Sequence, residues 1–336
     1  MDCSEDIVHT LQLKLQKMKR MNMNRQLVIL IAFVLSSFIF GCHRVRKAIP
    51  DSMVTGQTTI AADEALLPVI NAELDIFHSL YNFATVNCKF VSEYDAINLL
   101  LQEKIRLALV TRPLNQKELD FFQNKEIHAE SIPLAYDAIA VIVPAGNSTK
   151  VLSLSQIGQV LSGTIVDWKE ISNSGKTGHI RLVFDAESSG ILRSLNDSLH
   201  LNQKISGDII FAGSNKKVIE SVAADPESIG FVGYNWLSEN ENLKVQDFLK
   251  QVNLIAVSKG TNSDSNKRFQ PTVASLFNLE YPLIRKVYAI YTDPSASLAR
   301  GFLAHLTSER GRKIIYRMGL KPENDFQRQI KINKDY

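Results

Sequence analysis

Short apolar runs alternate with amphipathic stretches along most of this chain. Residues 58–62, TTIAA, form one such run, and Asp63 follows in a position to N-cap a helix. That helix carries Leu66, Leu67, Ile70, Leu74 and Phe77 on one face, at about the 3.6-residue spacing of an amphipathic helix. Residues 85–91, TVNCKFV, predict a second strand, and Ser92 opens a helix with Ala96, Ile97, Leu100 and Leu101 inward. A third strand, 105–111, ends at Arg112 and Pro113. Strand, helix, strand, helix, strand in this order predicts a largely parallel sheet covered by helices. Further strands are expected at 138–144, 180–185, 228–237, 253–258 and 285–292, with helices at 153–163, 216–226 and 295–320.

In open α/β sheets, ligands sit beyond the carboxyl ends of the strands, where helices begin. That rule selects the segments 62–65, 92–94, 111–112 and 188–191. The stretch FDAESSGILRSL, 184–195, sets Ser188, Ser189 and Gly190 at a helix entrance with Arg193 one turn further in. Two readings fit it. Serine at an N-cap satisfies orphan backbone N–H groups. Alternatively, small residues, a helix start and an arginine together capture an anion. Four such junctions in one place would form a cage of N–H and O–H donors for a small oxyanion. Each candidate has an ordinary alternative. Ser92 is a helix cap, Arg112 the partner of a carboxylate such as Glu118, and Arg193 a solvated helix residue. Asp63 reads as a cap and Asp137 as a structural hydrogen-bonder. Asp185 and Glu187 would repel an anion unless they accept its proton.

Composition narrows the class. The 336 residues, 45% hydrophobic and 22% charged, can build one large domain or two lobes around a real core. A net charge of +3, with no long basic run in the body, argues against nucleic acid. Cys3, Cys42 and Cys88 make no disulfide framework and no cluster with metal-ligand spacing, so neither metal nor cofactor is expected. Cys88 reads as a small buried strand residue. A serine hydrolase is disfavoured, because Ser188 and Ser189 lack the Gly-x-Ser-x-Gly elbow and no histidine stands in a recognisable motif. At the N-terminus, Lys14, Lys17, Lys19, Arg20 and Arg25 precede an apolar run at 27–40, shorter than the ~20 residues of a membrane span. This describes a secretory signal over 1–41, with an uncleaved signal anchor as the alternative. Ile39, Phe40 and Gly41 ahead of Cys42 resemble a bacterial lipobox, and the polar stretch to residue 57 reads as a tether.

The order of motifs TTIAADEALLPVI, SEYDAINLLL, RLALVTRPLNQKEL, AYDAIAVIVPAGN, LSQIGQVLSGTIVDW, DAESSG, ESIGFVGYNWL, YPLIRKVYAIYTDP and GFLAHLTSERGRKIIYRMGLKP runs from about 58 to 322. In it the chain resembles the substrate-binding lipoproteins of bacterial phosphate ABC transporters, within the type II periplasmic-binding-protein fold. The resemblance implies an α/β protein of two lobes, each a mostly parallel sheet flanked by helices, with phosphate or a similar oxyanion held in the cleft. Lobe one would be 57–136 plus 252–336 and lobe two 137–251, hinged near 136–138 and 250–253. By position, the family's binding hydroxyl falls on Ser92, its Ser-Gly pair on Ser189 and Gly190, and its backbone donors near Glu64 and Ala65. Ile191 stands where the family has threonine, and Arg112 where its best-known members keep an aspartate. The resemblance further implies a monomer without enzymatic activity, lipid-anchored through Cys42 on the periplasmic side of a bacterial membrane or at the cell surface, and served by an ABC permease. A surface sensor or adhesion lipoprotein of the same fold is the alternative.

Overall fold

A computed structural model describes residues 13–14, 16–17, 20, 51–171, 177–201, 205–239, 241–260, 267–293 and 295–324. Cys42 and the apolar run before it lie outside the described residues. Two compact units divide the chain after Ala48, and the fold below is that of the second.

The first half follows the expected order: β1 (Gly56–Asp63), α1 (Leu67–Leu80), β2 (Ala84–Val91), α2 (Glu93–Leu101), β3 (Leu107–Val110) and α3 (Gln116–Asn124). Both β2 and β3 pair in parallel with β1. Alternate residues of a strand face opposite sides of its sheet, and β1 uses both. Ile60 and Ala62 pack on the α1 side with Phe77, while Ala61 packs on the α2 side with Ala96, Ile97 and Leu100. Cys88 is half-buried in β2, and burial pushes its thiol up to about 12, which leaves it inert.

The middle of the chain builds β4 (Glu130–Pro144), β5 (Val151–Ser153), α4 (Leu154–Leu161), β6 (Arg181–Phe184), α5 (Gly190–Ser198), β7 (Asp208–Phe211), α6 (Asn215–Ala224), β8 (Ser228–Gly233) and α7 (Leu243–Gln251). It closes with β9 (Val252–Leu254), β10 (Ala256–Ser258), β11 (Arg268–Phe269), α8 (Val273–Phe277), β12 (Ile284–Tyr291), α9 (Leu298–Thr307), α10 (Glu309–Arg317) and β13 (Lys321–Pro322).

The two lobes share one strand. From Glu130 to Ala138, β4 runs antiparallel to β12; from Ile139 it runs antiparallel to β8 instead, and its end pairs with β9. The main sheet therefore has the order β2-β1-β3-β12-β4-β8-β6-β7. Each lobe has its own core, one around Phe77, Leu109 and Phe302, the other around Trp168, Phe184 and Phe231.

Three expectations change. The run 253–258 is broken into β9 and β10, because β9 joins the edge of β4 and β10 joins β5 and β11. The expected strand 228–237 stops at Gly233, where a single 3-10 turn, Tyr234–Trp236, takes over. Beyond residue 252, Leu276, Tyr281 and Leu283 pack in the core with Phe231. Because β12 is antiparallel to both β3 and β4, the sheet is mixed rather than largely parallel.

Candidate functional site

The ends of β1 and β3 and the starts of α2, α5 and α6 converge between the lobes. Asp63, the last residue of β1, is fully buried. Its Oδ1 accepts from the Ala65 amide at 3.1 Å, the expected cap, while its Oδ2 has no hydrogen-bond partner. At the head of α2, Ser92 caps the helix by accepting from the Asp95 amide, and its hydroxyl donates to the Asp95 carboxylate. The next residue, Glu93, enters the cleft. Its carboxylate accepts from the Thr111 amide at 2.8 Å and the Thr111 hydroxyl at 2.5 Å. Arg193 reaches across from α5, donating to Glu93 Oε1 at 2.5 Å and to the Thr111 carbonyl at 3.0 Å.

The other helix starts are engaged too. Ser189 caps α5 by accepting from the Ile191 amide. At the head of α6, the amide and side-chain N–H groups of Asn215 both donate to Glu64 Oε2, at 2.8 and 2.7 Å. A carboxylate of one lobe thus sits on a helix N-terminus of the other, where the dipole and free amides favour negative charge. The Ala65 carbonyl accepts from Asn235 and from the Trp236 indole.

Gly190 is required by close approach. A Cβ there would lie 2.8 Å from Thr111 Oγ1, 3.1 Å from Glu93 Oε2 and in collision with Asp63 Oδ2. Overpacking of this kind costs about 1–3 kcal/mol. Gly190→Ala is therefore expected to lower the unfolding free energy by that amount, read as a lower urea midpoint with an unchanged slope. An unaltered midpoint would mean that the lobes part freely at this point.

The floor is Arg285 of β12, buried and opposite Asp137 in the β4 register. Its Nη2 lies 2.8 Å from Asp137 Oδ2 and its Nη1 3.8 Å from Asp63 Oδ2. Burial pushes Asp63 up to about 7; Arg285 pulls against this, while Glu93 and Asp185 add to it. Burial also raises Asp137, Asp185 and Glu64. On Glu93 burial is outweighed by Arg193 and by the Thr111 donors, so its carboxyl is held below the usual range. Asp63, Glu64, Glu93, Asp137 and Asp185 face two guanidiniums, Arg193 and Arg285, so the lining is richer in acceptors than the expected donor cage. Among the described residues no group of three His, Cys, Asp or Glu could hold a metal ion.

Of the residues singled out in the sequence, Ser189, Gly190, Arg193, Glu64 and Ala65 meet at the lobe boundary. Ser92 stands beside it as a cap. Arg112 holds Glu118 by two hydrogen bonds, at 2.8 and 2.7 Å, and its Nε lies 3.9 Å from Glu93. Glu93 and Thr111 lie within the selected segments 92–94 and 111–112 but were passed over for their neighbours, and Asn215 and Arg285 lie outside every selected segment. Of the latter two, only Arg285 left a signal: it alternates with Val287, Ala289 and Tyr291, the buried face of β12.

The PBP superfamily domain matches residues 50–310. Among curated relatives, the phosphate-binding protein PstS of Borreliella burgdorferi is 22% identical over 306 residues, covering 88% of this chain and 98% of its own. Protein SphX of Synechococcus elongatus is 23% identical, over 62% of this chain and 60% of its own, so only about three fifths of that relative is spanned. Among solved structures, a putative phosphate ABC transporter substrate-binding protein with bound phosphate from Clostridium perfringens superposes with a TM-score of 0.67 at 19% identity, over 80% of this chain and all of its own. An ABC-type phosphate transport receptor from Vibrio cholerae gives 0.57 at 20% identity, with the same coverage. These likenesses show a common two-lobed fold, and the domain match spans most of the sequence: the chain belongs to the PBP superfamily.

Proposed function

We propose that this protein is an extracytoplasmic solute-binding lipoprotein that captures phosphate, or a similar small oxyanion, between its lobes for an ABC permease. One observation carries the reading: two helix N-termini of lobe two, at Gly190 and Asn215, already have carboxylates of lobe one, Asp63 and Glu64, against them. These are positions an oxyanion favours. On entry the anion displaces Glu64 from the start of α6 and lies against Asp63, takes the amides of Ser189, Gly190 and Ala65, and draws charge from Arg193 and Arg285, with Ser92 and Arg112 at the rim. Names and likenesses of the relatives support phosphate as the ligand and uptake as the role. In this reading Cys42 carries lipid, the protein works as a monomer, and lobe one comprises 57–136 with the segment from 284 onward.

A second reading is a sensor or adhesion lipoprotein of this fold, in which Asp63 and Glu64 keep their places at the helix starts and join the lobes. Equilibrium dialysis against phosphate and sulfate separates the two. Saturable phosphate binding is expected, at least about tenfold (~1.4 kcal/mol) tighter than sulfate. The reason is that a buried acid such as Asp63 accepts a proton from phosphate, whereas sulfate has none to give. Equal affinities would remove that acceptor role, and no saturable binding of either anion would favour the second reading.

A further inference from the structure

The chain enters its folded body far from the cleft. Met53 packs on Gly301 of α9, and the Gly56 amide donates to the Phe83 carbonyl at 2.9 Å, just past the C-terminal end of α1. Asp63 and Glu64 precede the other end of α1, whose 14 residues span about 21 Å. Here the surface changes character. Val54, Leu80 and Phe83 are 41%, 41% and 66% exposed. Val54 and Leu80 line a groove of about 550 Å³ together with Arg310 and Lys313 of α10. Helix α10 reads ERGRKIIYR, four cations to one acid; it buries Gly311 and Ile315, the Nε of Arg312 is buried too, and Arg310, Lys313 and Arg317 are exposed. Arg310 makes no ion pair among the described residues. Arg317 is 4.0 Å from Glu239, and Lys313 pairs only with Glu309 of its own helix, both well exposed. The sequence leading in adds Arg44, Arg46 and Lys47, with no acid between Cys42 and Asp51.

We propose that this face, Val54, Leu80 and Phe83 bordered by Arg310, Lys313 and Arg317, docks on an anionic phospholipid surface and orients the body on its membrane. The proposal rests on the anchored reading of the N-terminus given above. Nine residues from Cys42 to Asp51 reach at most about 30 Å, so an anchored body is never far from the bilayer. Apolar side chains flanked by cations are the arrangement that binds an interface, and a basic patch is the usual second signal beside a lipid. Each cation near an anionic surface strengthens attraction by roughly fivefold. Docked in this way, the cleft stands about one helix length from the headgroups.

The test is hydrogen exchange on the full-length protein, purified from membranes and reconstituted in vesicles of phosphatidylcholine alone or mixed with phosphatidylglycerol. Segments 76–83 and 309–317 are expected to exchange at least about fivefold more slowly in the anionic vesicles. High salt and the variant R310E/K313E/R317E, with unchanged melting, should both abolish the difference. Equal exchange in the two vesicles would overturn the proposal. So would slowing that appears only when a permease is present, which would make a protein the occupant. The mass of the N-terminal peptide reports lipid on Cys42 separately. Protein held by an uncleaved apolar segment gives the same comparison, and protein with neither attachment is read by sedimentation with the anionic vesicles.

Discussion

Replacing Arg285 with methionine is expected to cost about 3–5 kcal/mol of stability at pH 8, the range for removing one partner of a buried ion pair. The side chain is nearly inaccessible, and its loss leaves the buried carboxyls of Asp137 and Asp63 without their shared cation. Asp137 Oδ1 and Asp63 Oδ2 have no hydrogen-bond partner, and the neutral donors beside Asp137, the Ala138 amide and Asn235, do not replace a full positive charge. The defect should depend on pH in a definite sense. Burial raises both carboxyls, and removing the guanidinium raises them further. A raised acid is protonated in the folded state, so the penalty is small in acid and grows as pH climbs through the folded pKa. Urea unfolding at pH 5 and pH 8 reads this directly. Asp137→Asn combined with Arg285→Met should recover much of the loss, whereas Arg285→Lys keeps the charge without the planar fork and should recover less. A loss below about 1 kcal/mol at pH 8 would show that the pair does not hold the hinge.

Asp63→Asn is expected to act in the opposite direction. Burial pushes this carboxyl up to about 7 in the folded protein, from the ordinary aspartate value of 3.8. Between those values the folded state binds more protons than the unfolded, so stability falls as pH rises, and the contribution is gone above about 7. At about 1.36 kcal/mol per pKa unit the full cost is on the order of 4 kcal/mol. Asparagine keeps an oxygen for the Ala65 amide and carries no charge. The variant should therefore be more stable than the parent by about 2–4 kcal/mol at pH 8 and nearly equal to it at pH 4. Paired urea titrations across this range check the prediction. A parent-like decline between pH 5 and pH 8 in the variant would assign the linkage to Asp185 or Glu64 instead.

Local pattern was enough to locate β1, β2 and β3, the helices between them, and the junction at Ser189 and Gly190. Periodicity and capping are properties of neighbours in sequence, and each of these elements expresses them within ten or so residues. Gly190, Arg193 and Glu64 were legible because strand-to-helix junctions have a fixed polarity toward the cleft. The choice between adjacent residues was not. Glu93 rather than Ser92, and Thr111 rather than Arg112, supply the cross-lobe hydrogen bonds. A step of one residue reverses the face a strand presents and turns a helix start by about 100°, and nothing local marks which face will meet a partner. The breaking of 253–258 into two strands had the same cause. An apolar run such as 253–258 specifies a strand, but not which sheet edge receives it, and here two edges divide it. The electrostatic character of the cleft was decided at the greatest distance. Asp137 and Arg285 are 148 residues apart, and Asp63 joins them only because β1, β4 and β12 are brought to one floor. Sequence alone determined where each of these charges stands along its strand; only the pairing of distant strands, by burying them together, determined that they would share one dry space.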